Sequence, residues 1–129
     1  MLRAFFDDLS SGKKGLVATY FVAPLDFVRW SDPTSGLITF LPGPDNDTVT
    51  LDALQAHLDS LQQQGAHVTL TRFRDAGFEA DKTNGEAGGW FSFDIRGSPN
   101  GRAAVKDGNG KGAVDCGTKK LKALVIHNW

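Results

Sequence analysis

The chain has 129 residues, with 14 Lys and Arg against 15 Asp and Glu, a net charge of -1 and a single cysteine. Such a length suits one domain of ~100–150 residues, so residues 1–129 are expected to form a single domain, with no room for a second sizeable one. A near-neutral charge gives no field to gather a nucleic-acid backbone or an anionic membrane, and 40% apolar residues with 15 glycines exclude a disordered chain.

The uncharged stretch from Gly15 to Leu25 is eleven residues long, short of the ~18–20 that a bilayer span requires. Arg3, Asp7 and Asp8 interrupt the first ten residues, which therefore do not read as a signal peptide, and a cytoplasmic protein is expected. Cys116 has no second cysteine for a disulfide, and no Cys or His lies at the usual zinc-ligand spacing, so no metal and no cofactor are expected.

In chain order, Leu2, Phe5, Phe6 and Leu9 fall at i, i+3, i+4 and i+7 and predict a short helix with one apolar stripe, ended by Ser10-Ser11-Gly12. Ser11 is the expected cap of a second helix starting near Lys13, carrying Leu16, Val17, Tyr20 and Phe21 and stopping before Pro24. Short strands near 26–30 and 36–41, separated by Asp-Pro and Ser-Gly, predict a small hairpin. Thr50 is the expected N-cap of a longer helix with Leu51, Leu54, Leu58 and Leu61 on one face and Gly65 at its end.

Beyond Gly65 the period becomes that of strands: HVTLTRFRDAGFEA, GGWFSFDIRG, GRAAVKDGNGKGAVDC and KKLKALVIHNW, divided by Thr-Asn-Gly, Ser-Pro-Asn-Gly and Gly-Thr, predict consecutive antiparallel hairpins. Phe91, Phe93 and Ile95 share one face. In the last strand the alternation sets Leu121, Ala123, Val125, His127 and Trp129 inward. That leaves Leu124 and Ile126 on the other face, where a homodimer contact would cover them. Asp107-Gly-Asn-Gly-Lys-Gly lacks the Ser or Thr and the helix of a phosphate loop, and the Glu of a calcium loop, so it reads as a flexible hairpin or bulge. Arg72, Arg74, Arg96 and Arg102 are interleaved with Asp75, Glu79 and Asp94, which predicts cross-strand pairing and not a nucleic-acid surface.

Two helices, a hairpin, a longer helix and then long antiparallel strands make an α+β order. FFDDLSSGKKGLVATYFVAPLDFVRW at 5–30, LDALQAHLDSLQQQG at 51–65 and KGAVDCGTKKLKALVIHNW at 111–129 carry a resemblance to the nuclear transport factor 2-like superfamily, with its ketosteroid-isomerase-like and SnoaL-like members. The resemblance implies a cystatin-like cone, in which N-terminal helices pack in a curved, mostly antiparallel β-sheet whose open end is often an apolar pocket. It also implies a homodimer packed sheet against sheet. It places Asp32 near the Asp-Pro general base of the isomerase-like members, but about three residues beyond the family position, which Arg29 would occupy, and Asp32-Pro33 before Thr-Ser-Gly reads first as an ordinary turn. Asp115 resembles their second acid, but a shorter turn moves that position to near Lys111.

An isomerase, dehydratase or cyclase on such a cone needs a base and a hydrogen-bond donor facing an apolar cavity. The candidates are Tyr20 as donor and Asp32 or His127 as base, each with a structural alternative: a core aromatic, a turn residue and a rim histidine. His57, between Leu54 and Leu58, and His67 at a strand start read as structural or solvated. Cys116 reads as a small buried residue and not a nucleophile. The leading expectation is a small-molecule-binding domain with Phe21, Phe27, Trp30, Leu54, Leu58, Phe73, Phe91, Phe93, Val125 and Trp129 lining an apolar pocket. Alternatives are a cofactor-independent enzyme using Tyr20, Asp32 and His127, and an interaction module with a filled core. Whether the chain is an enzyme stays open at this level.

Overall fold

A computed structural model describes residues 1–32, 36–41, 47–75 and 89–129. Helix α1 (Leu2–Ser11) buries the whole predicted stripe of Leu2, Phe5, Phe6 and Leu9 and ends at Gly12, whose φ of 81° supplies the left-handed stop. Ser11 Oγ donates to Asp8 O at 3.2 Å, within α1, so it does not cap the next helix. Helix α2 (Leu16–Tyr20) starts later and is shorter than the sequence suggests, because Gly15 also takes a left-handed conformation, with φ of 72°. Its first-turn Val17 N–H is satisfied from outside, by Gln55 Oε1 at 2.9 Å.

Strands β1 (Phe27–Asp32) and β2 (Gly36–Phe40) form the expected antiparallel hairpin. Helix α3 (Asp47–Gln63) begins three residues before the expected cap. Thr50 therefore lies inside it, and its hydroxyl donates to Leu41 O at 2.8 Å. Strands β3 (His67–Asp75), β4 (Gly89–Ser98), β5 (Lys106–Val114) and β6 (Leu121–His127) complete a six-stranded curved sheet in the order β2-β1-β6-β5-β4-β3. Every neighbouring pair is antiparallel except β1 and β6. Glu79 and the Thr-Asn-Gly turn lie outside the described residues. Of the expected cross-strand pairs, Arg74 lies 4.0 Å from Asp94, while Arg96 pairs with Asp107 at 3.0 Å.

The core fills the space between the helices and the inner sheet face. Phe5, Phe6 and Leu9 of α1 meet Leu54 and Leu58 of α3 and Phe93, Ile95, Leu124 and Ile126 of the sheet, all buried. Strand β5 makes room for the large rings. Gly108, Gly110 and Gly112 stand opposite Ile95, Phe93 and Phe91 of β4. A Cβ on Gly110 would come within 2.1 Å of Val125 O and 2.5 Å of Phe93 Cζ, and one on Gly112 within 2.7 Å of Phe91 Cζ. The glycine-rich run expected to be a flexible hairpin is thus a regular central strand, stripped of side chains on its inner face so that neighbouring aromatics lie across it.

The last strand corrects the sequence reading in phase. Lys122 is an extra residue, since Val114 pairs with Leu121 and Ala113 with Ala123. This bulge reverses the alternation beyond Leu121. Leu124 and Ile126 therefore face the core opposite Gly112 and Gly110, while Ala123, Val125 and His127 lie on the outer face. The reason given for a dimer contact, an outward Leu124 and Ile126, is overturned. Trp129 returns inward because Asn128 adopts a positive φ of 62° and breaks the alternation again. Its Cβ lies 2.8 Å from where a Cβ on the inner-face Gly108 would stand.

Candidate functional site

The inner face of β1 carries Val28 and Trp30, both buried. Trp30 Nε1 donates to Trp129 O at 3.1 Å, and Trp129 N donates to Ser31 O at 3.2 Å. These two bonds hold the last residue against β1. His57, from α3, packs on Trp30 with 4.9 Å between ring centroids and the planes at 73°, and its ring centroid is 5.7 Å from that of Phe40. Among the described residues, Trp30, Ile38, His57, Ser60, Leu61, Gln64, Pro99, Asn100 and Trp129 line a partly open cavity of about 310 Å³. Its rim is fixed by the turn between β4 and β5: Asn100 Oδ1 accepts from Arg102 N at 2.9 Å and Ala103 N at 2.7 Å, and Gly101 N donates to Gln64 O at 2.7 Å. Ser98 Oγ adds bonds to Asn100 O and Ala103 O beneath it.

Two polar atoms of residues around this cavity are buried with no hydrogen-bond partner, Trp129 Nε1 and His57 Nε2. An orphaned buried donor or acceptor costs about 1–3 kcal/mol. Burial also pushes the His57 imidazole below its ordinary value of 6.5, so the ring is neutral at neutral pH. His57 is the residue that the sequence reading passed over. The signal was present, because positions 54, 57, 58 and 61 form an i, i+3, i+4, i+7 stripe on α3, which puts His57 on the apolar face beside Leu54.

Tyr20 and His127, two of the three expected catalytic side chains, do not border this cavity. The Tyr20 hydroxyl donates to Asp8 Oδ2 at 2.5 Å, and Lys13 Nζ lies 3.5 Å from the same oxygen. Burial, then the Asp8 carboxylate, push the phenol up to about 12. His127 is exposed on the outer face, opposite Ser31 of β1. Asp32 is the last residue of β1, and its side chain and the following turn lie outside what is described.

The expected pocket lining also divides. Trp30 and Trp129 border the 310 Å³ cavity. Phe73 and Phe91, with ring centroids 5.4 Å apart, border a 500 Å³ groove with Leu2, Leu70 and Val114. Phe21 borders a 600 Å³ groove between α2, α3 and Lys120. Leu54, Leu58 and Phe93 are core residues. Phe27 and Val125 lie on the outer face, for β1 follows the register of β6: Phe27 pairs with Ala123 and Arg29 with Val125. The Arg29 guanidinium stacks 5.4 Å above the Phe27 ring.

One further expectation is corrected. Cys116 is exposed in the turn after β5, not buried in a strand. Asp115 organises that turn: Oδ2 accepts from Thr118 N at 2.8 Å and from the Thr118 hydroxyl at 2.7 Å. These bonds hold its carboxyl below the ordinary carboxylate value. Among the described residues no group of three or more His, Cys, Asp or Glu could hold a metal ion, and no helix is long and apolar enough to cross a membrane.

No protein-family model matches the chain, and no curated protein matches it in sequence. Solved structures do match in shape. A protein of unknown function with a cystatin-like fold from Methylobium petroleophilum aligns over 97% of this chain and 70% of its own, with TM-score 0.67 and 10% identity. A designed protein with a curved β-sheet covers 99% of this chain and 81% of its own, with TM-score 0.55 and 12% identity. A protein provisionally named a polyketide cyclase, from Xanthomonas campestris, covers 99% and 87%, with TM-score 0.53 and 8% identity. The chain therefore has the cystatin-like, nuclear transport factor 2-like fold, an α+β cone of helices on a curved, mostly antiparallel sheet. A fold of this kind hosts many functions, and identities near 10% carry the architecture alone.

Proposed function

We propose that the protein binds a small molecule in the cavity between Trp30, His57 and Trp129. The observation that carries this reading is the 310 Å³ cavity itself, whose lining sets Trp30, Ile38 and Leu61 beside the polar side chains of His57, Ser60, Gln64 and Asn100. Ligand sites are mostly apolar with a few placed polar groups, and volumes start near ~300 Å³. The test is a ligand-observed NMR screen of a fragment library against the wild type and Ser60→Trp, which puts an indole at the cavity rim from an exposed helix position. Fragments that bind the wild type and are lost in the folded variant support the reading. A screen with no binders, or binders indifferent to the plug, would sink it.

A cofactor-independent isomerase or cyclase is the second reading, and one observation favours it. The neutral imidazole of His57 is on the lining of the cavity, and proton transfer needs a base of this kind. His57 would then take the role first expected of Asp32 or His127. Turnover of a bound compound that His57→Gln abolishes while binding persists would select this reading. The sheet-face homodimer belongs to the same proposal: its face would be the outer row of Phe27, Ala123, Ala113 and Trp90, which the strand register places side by side. Sedimentation equilibrium of the wild type and Trp90→Lys tests it. A cytoplasmic setting accompanies the proposal, and cell fractionation checks it.

A further inference from the structure

The 500 Å³ groove between the start of α1 and strands β3, β4 and β5 shares none of its described lining residues with the Trp129 cavity. The two stand at opposite ends of the sheet: the groove meets β4 near its start, at Phe91, and the cavity meets the turn that follows β4, at Pro99 and Asn100. Leu2, Leu70 and Phe91, all buried, form the apolar floor of the groove. Phe73 differs from them, with 50% of its surface exposed. Thr71 is an extra residue on β3, since Leu70 pairs with Ile95 and Arg72 with Asp94, so Leu70 and Phe73 share the inner face across the bulge. The Phe73 ring lies 5.4 Å from that of Phe91, with the planes at 31°. An exposed aromatic ring beside a buried apolar floor is surface that an apolar ligand removes from water.

Charge narrows the occupant. Arg3 and Lys119, both exposed, also line the groove, and none of its described lining residues is an acid. Among the described residues, neither cation has an ion-pair or hydrogen-bond partner for its side chain. Asp7 follows Arg3 by one turn of α1 without pairing with it, and Asp115, close to Lys119 in the chain, has its Oδ2 taken by Thr118. The Lys119 backbone is fixed, with a φ of 62° and its N–H donating to Asp115 O at 2.8 Å. This tight turn sets where the lysine side chain leaves the chain at the edge of the groove.

Two unpaired cations beside an apolar groove complement one anionic group on an apolar body. We propose that this groove is a second binding site, for a free amphiphilic monoanion: a carboxylate on an alkyl chain, with the chain against Phe73 and Phe91 and the carboxylate toward Arg3 and Lys119. Its volume of 500 Å³ lies within the ~300–1,000 Å³ of small-molecule sites. A free molecule fits better than a lipid surface, because membrane-binding clusters gather about 4–8 Lys and Arg and this chain has a net charge of -1.

The experiment is a protein-observed NMR titration of the full chain with octanoate, octanol, octylamine and acetate at low salt. The expected result is that octanoate binds about fivefold or more tighter than octanol, with octylamine weaker still. Acetate, which lacks the chain, should not bind, and the octanoate shifts should gather at Phe73, Phe91, Val114 and Lys119. Raising the salt to about 0.5 M should shrink the preference for octanoate over octanol, because exposed charges are screened. Arg3→Gln combined with Lys119→Gln, both at exposed positions, should bring octanoate to the affinity of octanol and leave octanol unchanged. Phe73→Ser should weaken both. Octanol or octylamine binding as tightly as octanoate, a preference that survives in the double variant, or no binding by octanoate overturns the proposal and leaves the reading of the Trp129 cavity standing. Shifts gathered at Trp30 and Trp129 instead overturn it and support that cavity as the site.

Discussion

Tyr20 and Trp129 are both large, buried, amphipathic side chains in one apolar core, and they differ in what happens to their polar atoms. The Tyr20 hydroxyl is satisfied from within, by Asp8, on the neighbouring helix. Among the described residues, neither the Trp129 N–H nor the nearby His57 Nε2 has a hydrogen-bond partner. The first arrangement is what folding alone produces, because a paired polar group stabilises the native state. The second opposes folding. The helix end around Tyr20 is thus tied from within, and the cavity beside Trp129 is where the proposed binding would act.

That contrast predicts a graded set of responses. In the packed region, Phe93→Ala removes a buried ring that meets Phe6 with 5.7 Å between centroids and lies across Gly110. It should cost about 3–5 kcal/mol in urea unfolding. A loss under about 1 kcal/mol would mean the ring is not packed as described. Tyr20→Phe should cost about 1 kcal/mol by removing the hydrogen bond to Asp8 and leave fragment binding unchanged. A change in binding would mean that Tyr20 belongs to the site after all. His57→Leu replaces an unpaired buried polar group with an apolar one of similar size, so it should be neutral to about 1 kcal/mol stabilising, with fragment binding altered because the residue lines the cavity.

The pH response separates the same two residues. The Tyr20 phenol is raised from 10.0 to about 12, so its contribution is complete below pH 10 and is lost as pH rises from there toward 12. His57 is lowered from 6.5, so as pH falls below 6.5 the unfolded chain takes up a proton that the folded chain refuses, and stability drops. Difference curves of stability against pH should show Tyr20→Phe removing the alkaline loss and His57→Leu the acid one. An unchanged acid limb in His57→Leu would show that the imidazole is not held neutral by burial.

Much of the architecture was legible in the sequence, and the exceptions have physical causes. The α1 stripe, the β1 and β2 hairpin and the α3 leucines were readable because side-chain period follows directly from backbone geometry. The face of β6 was misread because alternation holds only without insertions, and Lys122 together with the positive φ of Asn128 shifts the phase twice. Trp129 was placed inward by an argument that fails for its neighbours Val125 and His127. The run from Gly108 to Gly112 was taken as flexible because glycine favours loops. Its role depends on Phe91, Phe93 and Trp129, which reach it only through the fold. The cavity itself was not legible, since pocket walls and core want the same side chains.

The central claim is tested most directly by following the three indole N–H resonances by NMR while a fragment that binds the wild type is added, with Trp90→Phe and Trp30→Phe used for assignment. The account predicts that the Trp129 indole signal moves with saturation while that of Trp90, on the outer sheet face, stays in place. A Trp129 signal that does not move, or a shift confined to Trp90, would contradict it.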